Sequence, residues 1–243
     1  MGFRQLFKKE WKGTFPVFAV YGGLVTLIHL ILLYKNASLV KDIVFVFSLL
    51  LPAILVGVLA VGTGFYQLHT EWRSNSIYLL LALPVRGWKV LTAKLVAVVS
   101  HLVATLCWIL LSFSLSLLRT QWADLQNAEW SRFWPSLLNL TAHMFWMYLL
   151  IVFVLVALVQ FTFLCGQLVA RMKWLFMIFA FVGSLWLILR ISPPLASLLL
   201  WTPDIVLGSE FDVLHSGPFL ILFLAGACLI GLSGYIYDKE VEV

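Results

Sequence analysis

Six stretches of this chain are apolar for long enough to leave water altogether. They run approximately over residues 14–33, 43–68, 95–118, 140–169, 174–189 (running on toward 200) and 218–237. A hydrocarbon core about 30 Å thick is crossed by a helix of roughly 20 residues. The first five stretches contain no Asp or Glu, and the sixth has no charge before Asp238. Inside lipid every backbone N–H and C=O must find its partner within the protein, so only helices and closed barrels span. Barrel strands would show segments of about 10 residues alternating apolar with polar, and this chain has none of that alternation. An all-α integral membrane protein of six transmembrane helices is the fold class, a single transmembrane domain over residues 1–243. Composition agrees: 63% of the chain is hydrophobic and 11% charged, whereas a soluble domain devotes about a quarter of its residues to charge.

Cys107, Cys165 and Cys228 each lie inside an apolar run, which suits buried thiols and excludes a disulfide scaffold. The net charge of +5 reads as positive residues held on the cytoplasmic side, not as a nucleic-acid footprint. With six crossings, one side holds Arg4, Lys8, Lys9, Lys12, Arg73, Arg86, Lys89, Lys94, Arg171, Lys173 and Lys239, and the other holds Lys35, Lys41, Arg119, Arg132 and Arg190. Eleven against five places both termini in the cytoplasm. The first apolar stretch is too long for a signal-peptide core and lacks an A-x-A site, so it is expected to be retained.

Three segments between the spans are patterned. In residues 1–13, Phe3, Leu6, Phe7 and Trp11 (with Phe15 beyond) share one helical face, and Arg4, Lys8, Lys9 and Lys12 fill the other. Such a segment is expected to form an amphipathic helix in the membrane interface, its cations toward anionic lipid or a partner. Residues 191–217 carry Pro193, Pro194, Pro203, Gly208 and Gly217 around an apolar core, 195–201. Too short to span, that core reads as a re-entrant helix or as a ragged end of the fifth span. Residues 69–94 are long for a helix connection. A polar start with Glu71 and Arg73 leads into a short apolar helix at 77–83, which Pro84 ends; Arg86, Lys89 and Lys94 follow. It reads as a cytoplasmic docking segment at the foot of the third span, or as an ordinary interfacial loop carrying positive-inside charges.

Within that segment Glu71, Arg73, Leu80, Pro84, Val85, Arg86, Lys94 and Leu95 follow one another in an order that resembles the membrane subunits of ABC-2 (type V exporter-like) ABC transporters, of the small bacterial six-helix kind. Those proteins share the six helices, the N-terminal interface helix, and short re-entrant helices between the fifth and sixth spans. The stretch departs from many of them at Arg73-Ser74-Asn75-Ser76, where they carry a basic residue followed by x-x-Gly-Thr. The resemblance implies a permease in the bacterial plasma membrane, exporting an amphiphilic peptide, an antibiotic or a lipid-linked substrate. It implies that Glu71, Arg73, Pro84 and Arg86 couple the chain to a partner ATPase, and that a second permease chain completes the pathway. The chain has no G-x-x-x-x-G-K-[ST], so it cannot cradle nucleotide phosphates in a P-loop. ATP and Mg would be bound by the partner, and no cofactor, catalytic residue, metal or nucleic acid is expected on this chain.

Polar residues inside the spans are few. His101, some two turns into the third span, is the candidate for lining a pathway. The lack of acids within the apolar windows argues against an ion-coupled secondary transporter. Glycines at 57, 62 and 64 in the second span, and the Ala227–Gly231 pair with Gly226 and Gly234 in the sixth, are candidates for close helix approach between two permease chains. The alternative functions are the substrate-binding membrane component of a vitamin-type importer, a membrane-embedded enzyme, and a channel or passive scaffold. An enzyme lacks support in the motifs, since neither H-E-x-x-H nor a glycine-flanked serine is present.

Overall fold

A computed structural model describes residues 2–35, 46–74, 85–120, 130–169, 171–199, 201–202, 204–206 and 213–240. Six helices in it are long and apolar enough to cross a membrane. They are α1 (Phe3–Lys35), α2 (Leu51–Arg73, entered through a π-helical turn at Val46–Leu50), α3 (Gly87–Thr120), α4 (Trp130–Gln167), α5 (Lys173–Leu198) and α6 (Gly217–Glu240). Between α5 and α6 lies a short antiparallel ribbon, β1 (Asp204–Val206) with β2 (Val213–His215), pairing Asp204 with His215 and Val206 with Val213.

The helices exceed the apolar windows, and that changes what they carry. At about 1.5 Å per residue, the 33 residues of α1 reach about 50 Å, well past a bilayer core. The N-terminal segment is therefore not a separate interface helix but the first turns of α1, continuous through Pro16. Proline removes one N–H and crowds the carbonyl four residues earlier. The carbonyl left without its donor is that of Lys12; one turn earlier the Thr14 hydroxyl donates to the carbonyls of Glu10 at 3.0 Å and Trp11 at 3.3 Å. Its expected apolar face is also divided. Leu6, Glu10, Thr14 and Phe18, one residue per turn, are buried in the bundle, while Phe3 and Phe15 remain exposed.

Similarly, α2 runs on to Arg73 and α3 begins at Gly87. Residues 69–73 and 87–94, expected in the connection, are thus helical. The short helix expected at 77–83, with Pro84, lies outside the described residues. Residues 191–198, the start of the expected re-entrant segment, continue α5 through Pro193 and Pro194. The two prolines remove the donors that would have met the Leu189 and Arg190 carbonyls, and the helix continues for one more turn beyond them. The ribbon then follows, and residues 207–212 lie outside the described residues.

The bundle is organised around α3 and α4. Helix α3 packs on α1, α2 and α6, and α4 packs on α2, α5 and α6. Two thirds (67%) of the most apolar window of α4 is buried against 6% of that of α5, so α4 is the axis and α5 lies at the periphery. Glycines set several of these approaches. A Cβ on Gly64 would meet the Val156 side chain of α4 at 2.9 Å, and one on Gly234 would meet the backbone of Trp88 of α3 at 2.8 Å. Gly57 and Gly226 are filled in the same way by Tyr148 and Phe153 of α4. Four of the six candidate glycines therefore serve packing within the chain, and only Gly62 and Gly231 face open space.

At the entry to α2 two tyrosines reach across to backbone carbonyls. The Tyr21 hydroxyl of α1 donates to the Pro52 carbonyl at 2.6 Å, and the Tyr148 hydroxyl of α4 donates to that of Ala53.

Candidate functional site

The starts of α1 and α3 and the far ends of α2, α4 and α6 meet at one end of the bundle. Leu6, Leu68, Val90, Leu91, Phe163, Leu164 and Tyr237 form an apolar cluster there. Beside it lies a set of charges that the apolar windows had left outside the membrane.

Each helix contributes by its own periodicity. On α1, Glu10 follows Leu6 by one turn and so shares its inward face; on α2, Gln67 and Glu71 are one turn apart. On α3, Lys94 lies on the same face as Leu91, Val98 and His101, all buried. The Lys94 ammonium, fully buried, stands 2.6 Å from Glu71 Oε1 and 3.0 Å from Glu10 Oε1. Gln67 Nε2 donates to Glu10 Oε2 at 3.4 Å. Lys9 closes the outer side, with Nζ 3.7 Å from Glu71 and 3.8 Å from Glu10, but its side chain is mostly exposed. Moving one such ion out of water costs several kcal/mol, so a buried lysine is stable only with carboxylates in hydrogen-bond contact. The three helices α1, α2 and α3 are thereby pinned to one nitrogen.

Helix α6 supplies the fourth side. Asp238 Oδ1 accepts the Gly87 N–H at 2.6 Å, so a carboxylate from the end of one helix caps the first turn of another. Glycine is required at 87, where a Cβ would stand 2.6 Å from the Tyr237 ring and 2.7 Å from that same Oδ1. The Tyr237 hydroxyl is buried without a hydrogen-bond partner and lies in the field of Glu71, Asp238 and Glu10.

The sequence-predicted residues separate accordingly. Glu71 is an internal ion-pair partner. Arg73 and Arg86 are exposed on either side of the 75–84 connection, and Pro84 lies outside the described residues. Lys94, counted above as an interfacial charge, is internal. Glu10, Gln67 and Asp238 were missed altogether. The one available signal for Glu10 was its position, a turn after Leu6 on the buried face, but an acid among four cations reads more readily as a surface pair. The acid-free windows also misled: Glu10 and Glu71 lie just beyond them and are nonetheless inside the bundle.

His101 sits one layer deeper. Its ring stacks on Trp11 at 3.7 Å between centroids and on Phe18 at 5.1 Å, and Nε2 donates to the Trp11 carbonyl at 3.0 Å. It is buried against α1 and acts there as a second polar tie between α1 and α3. Among the described residues no group of three His, Cys, Asp or Glu side chains could hold a metal ion.

These features define a multi-pass membrane protein whose helix ends are joined by a buried ion cluster. No family model, no curated protein and no solved structure matches the chain.

Proposed function

We propose that the chain is the permease subunit of an ATP-driven transporter of the ABC-2 exporter class. In this reading it moves an amphiphilic peptide, an antibiotic or a lipid-linked molecule across the bacterial plasma membrane, with both termini in the cytoplasm. The observation that carries the proposal is the Lys94–Glu71 pair, 2.6 Å across the base of the 75–84 connection. It braces α2 against α3 where a docking segment would have to deliver force, and leaves Arg73 and Arg86 exposed beside it. Force applied to the connection would then reach α1 as well, through Glu10. The work would come from a separate ATPase holding ATP and Mg, because the chain has no P-loop. A second permease chain would complete the pathway, and rigid-body motion of one against the other would change the side to which it opens.

The test is to look for a Walker-motif ATPase encoded beside this chain and to co-express the two. Arg86→Glu is expected to break co-purification or to abolish transport-linked ATP hydrolysis while the permease still folds. Wild-type hydrolysis, transport and co-purification in Arg86→Glu and Arg73→Glu would remove the docking assignment. Tight binding of a vitamin-sized ligand by the isolated chain would favour the importer component instead.

A further inference from the structure

The four cations near the start of α1 do not share one role. Lys9 and Lys94 make the ion pairs at this end of the bundle, both of them to Glu10 and Glu71. Arg4, Lys8 and Lys12 are exposed, and among the described residues no carboxylate lies within ion-pair reach of them. Arg4 and Lys8, one helical turn apart, line an open cleft of about 610 Å³ together with Gln5, Phe7 and Trp11.

One wall of this cleft is charged and the other aromatic. The aromatic wall is held from behind: the Phe7 and Trp11 rings lie 5.7 Å apart between centroids, and Trp11 stacks on the buried His101 of α3. Lys8 and Trp11 fall within two turns of the apolar stretch that begins near residue 14, the level of lipid headgroups. Below the cleft the same side of α1 is apolar and hollow. At about 100° per residue, Phe15, Gly22 and Thr26 fall within about 40° of Lys8 around the helix. Phe15 is exposed, a Cβ on Gly22 would meet nothing within 4 Å, and Thr26 Oγ1 accepts the indole N–H of Trp108 at 3.0 Å. The Trp108 ring of α3 thus closes the far end of a seam. From Phe15 to Thr26 that seam is about 16 Å long, close to half of a hydrocarbon core about 30 Å thick.

We propose that this side of α1 holds one anionic phospholipid molecule. Arg4 and Lys8 take its phosphate, the Phe7 and Trp11 rings carry the glycerol region, and one acyl chain runs past Phe15 and Gly22 as far as Trp108. A guanidinium binds phosphate oxygens two at a time, and an ammonium adds a point charge. Each such cation near the surface favours anionic lipid about fivefold. An acidic peptide would satisfy the cations equally but would leave the seam empty, and the seam runs on from the cleft into the bilayer. That continuity selects lipid. The site stands on α1 and α3 alone and does not depend on an ATPase partner.

Native mass spectrometry of the purified full chain tests it, by titration in detergent with phosphatidylglycerol or with phosphatidylcholine of the same acyl chains. One phosphatidylglycerol is expected to stay bound in preference to phosphatidylcholine. Arg4→Gln and Lys8→Gln should each weaken its retention about fivefold. Lys89→Gln, which removes an exposed cation over the Trp88 ring at the same end, should leave it unchanged. Gly22→Leu, which puts a side chain into the seam, should weaken retention with every cation in place. Equal retention of the two lipids, an equal loss in Lys89→Gln, or no loss when Arg4→Gln and Lys8→Gln are combined overturns the proposal. So does competitive displacement of the lipid by a synthetic acidic peptide together with no effect of Gly22→Leu, which would identify a peptide surface instead.

Discussion

Lys94 and Glu71 stand 23 positions apart on either side of the longest expected cytoplasmic connection, and their side chains meet at 2.6 Å with the lysine fully buried. The pair closes the connection at its base, and Glu10, at 3.0 Å, adds α1 to the same nitrogen.

Removing the lysine leaves two carboxylates in the bundle with only the exposed Lys9 nearby. Lys94→Met is expected to destabilise the chain by about 3–5 kcal/mol, the usual consequence of stripping one partner from a buried pair. Combining it with Glu10→Gln and Glu71→Gln should recover a large part of that loss. Thermal unfolding in detergent measures both, and a single-variant loss under about 1 kcal/mol would class the pair with ordinary surface bridges.

The glycines of α6 are not equivalent. Gly234→Ala would drive a methyl into the Trp88 backbone, 2.8 Å from the added carbon at Cα and 2.9 Å at N. Backbone cannot turn aside, so a loss of about 1–3 kcal/mol is expected, typical of overpacking. Gly231→Ala, facing open space, should be neutral or slightly stabilising, as alanine is the better helix former. Equal melting temperatures for the two variants would contradict the α3–α6 contact.

Gly57 and Tyr148 form a matched set. A side chain at 57 would occupy the place of the Tyr148 hydroxyl, which donates to the Ala53 carbonyl. Tyr148→Phe should cost about 1 kcal/mol for the lost bond. Gly57→Ala should cost more in the wild-type background than in Tyr148→Phe, where the hydroxyl is gone. A double-mutant cycle reads the coupling directly, and strict additivity would speak against the clamp.

Between α4 and α5 the chain turns through Met172, whose φ of 57° is left-handed. A side chain there costs about 1–2 kcal/mol that glycine avoids. Met172 is largely exposed and little packing is lost with it, so Met172→Gly is expected to raise stability by a few tenths to about 1 kcal/mol. A lowered unfolding midpoint would place the chain reversal elsewhere.

How far the sequence could be read depends on the range of the interaction concerned. The number of spans was legible because lipid imposes a local rule: about 20 apolar residues in succession satisfy it wherever they occur. Helix ends were less legible. His69–Arg73 and Gly87–Lys94 are polar enough to read as connection, yet they stay helical because packed neighbours, not lipid, cover them. The small-residue signal showed that helices approach closely but not which ones. Gly226 and Gly231 look alike in sequence, and only the position of Phe153 separates them.

The sequence by itself determined the solvent of this protein and its six apolar helices, since each follows from residue types within a short window. The tertiary structure alone decided that Glu10, Glu71 and Lys94 are partners. Their attraction depends on distance in space across three helices, and before the bundle is assembled nothing distinguishes them from the other charges at the membrane edge.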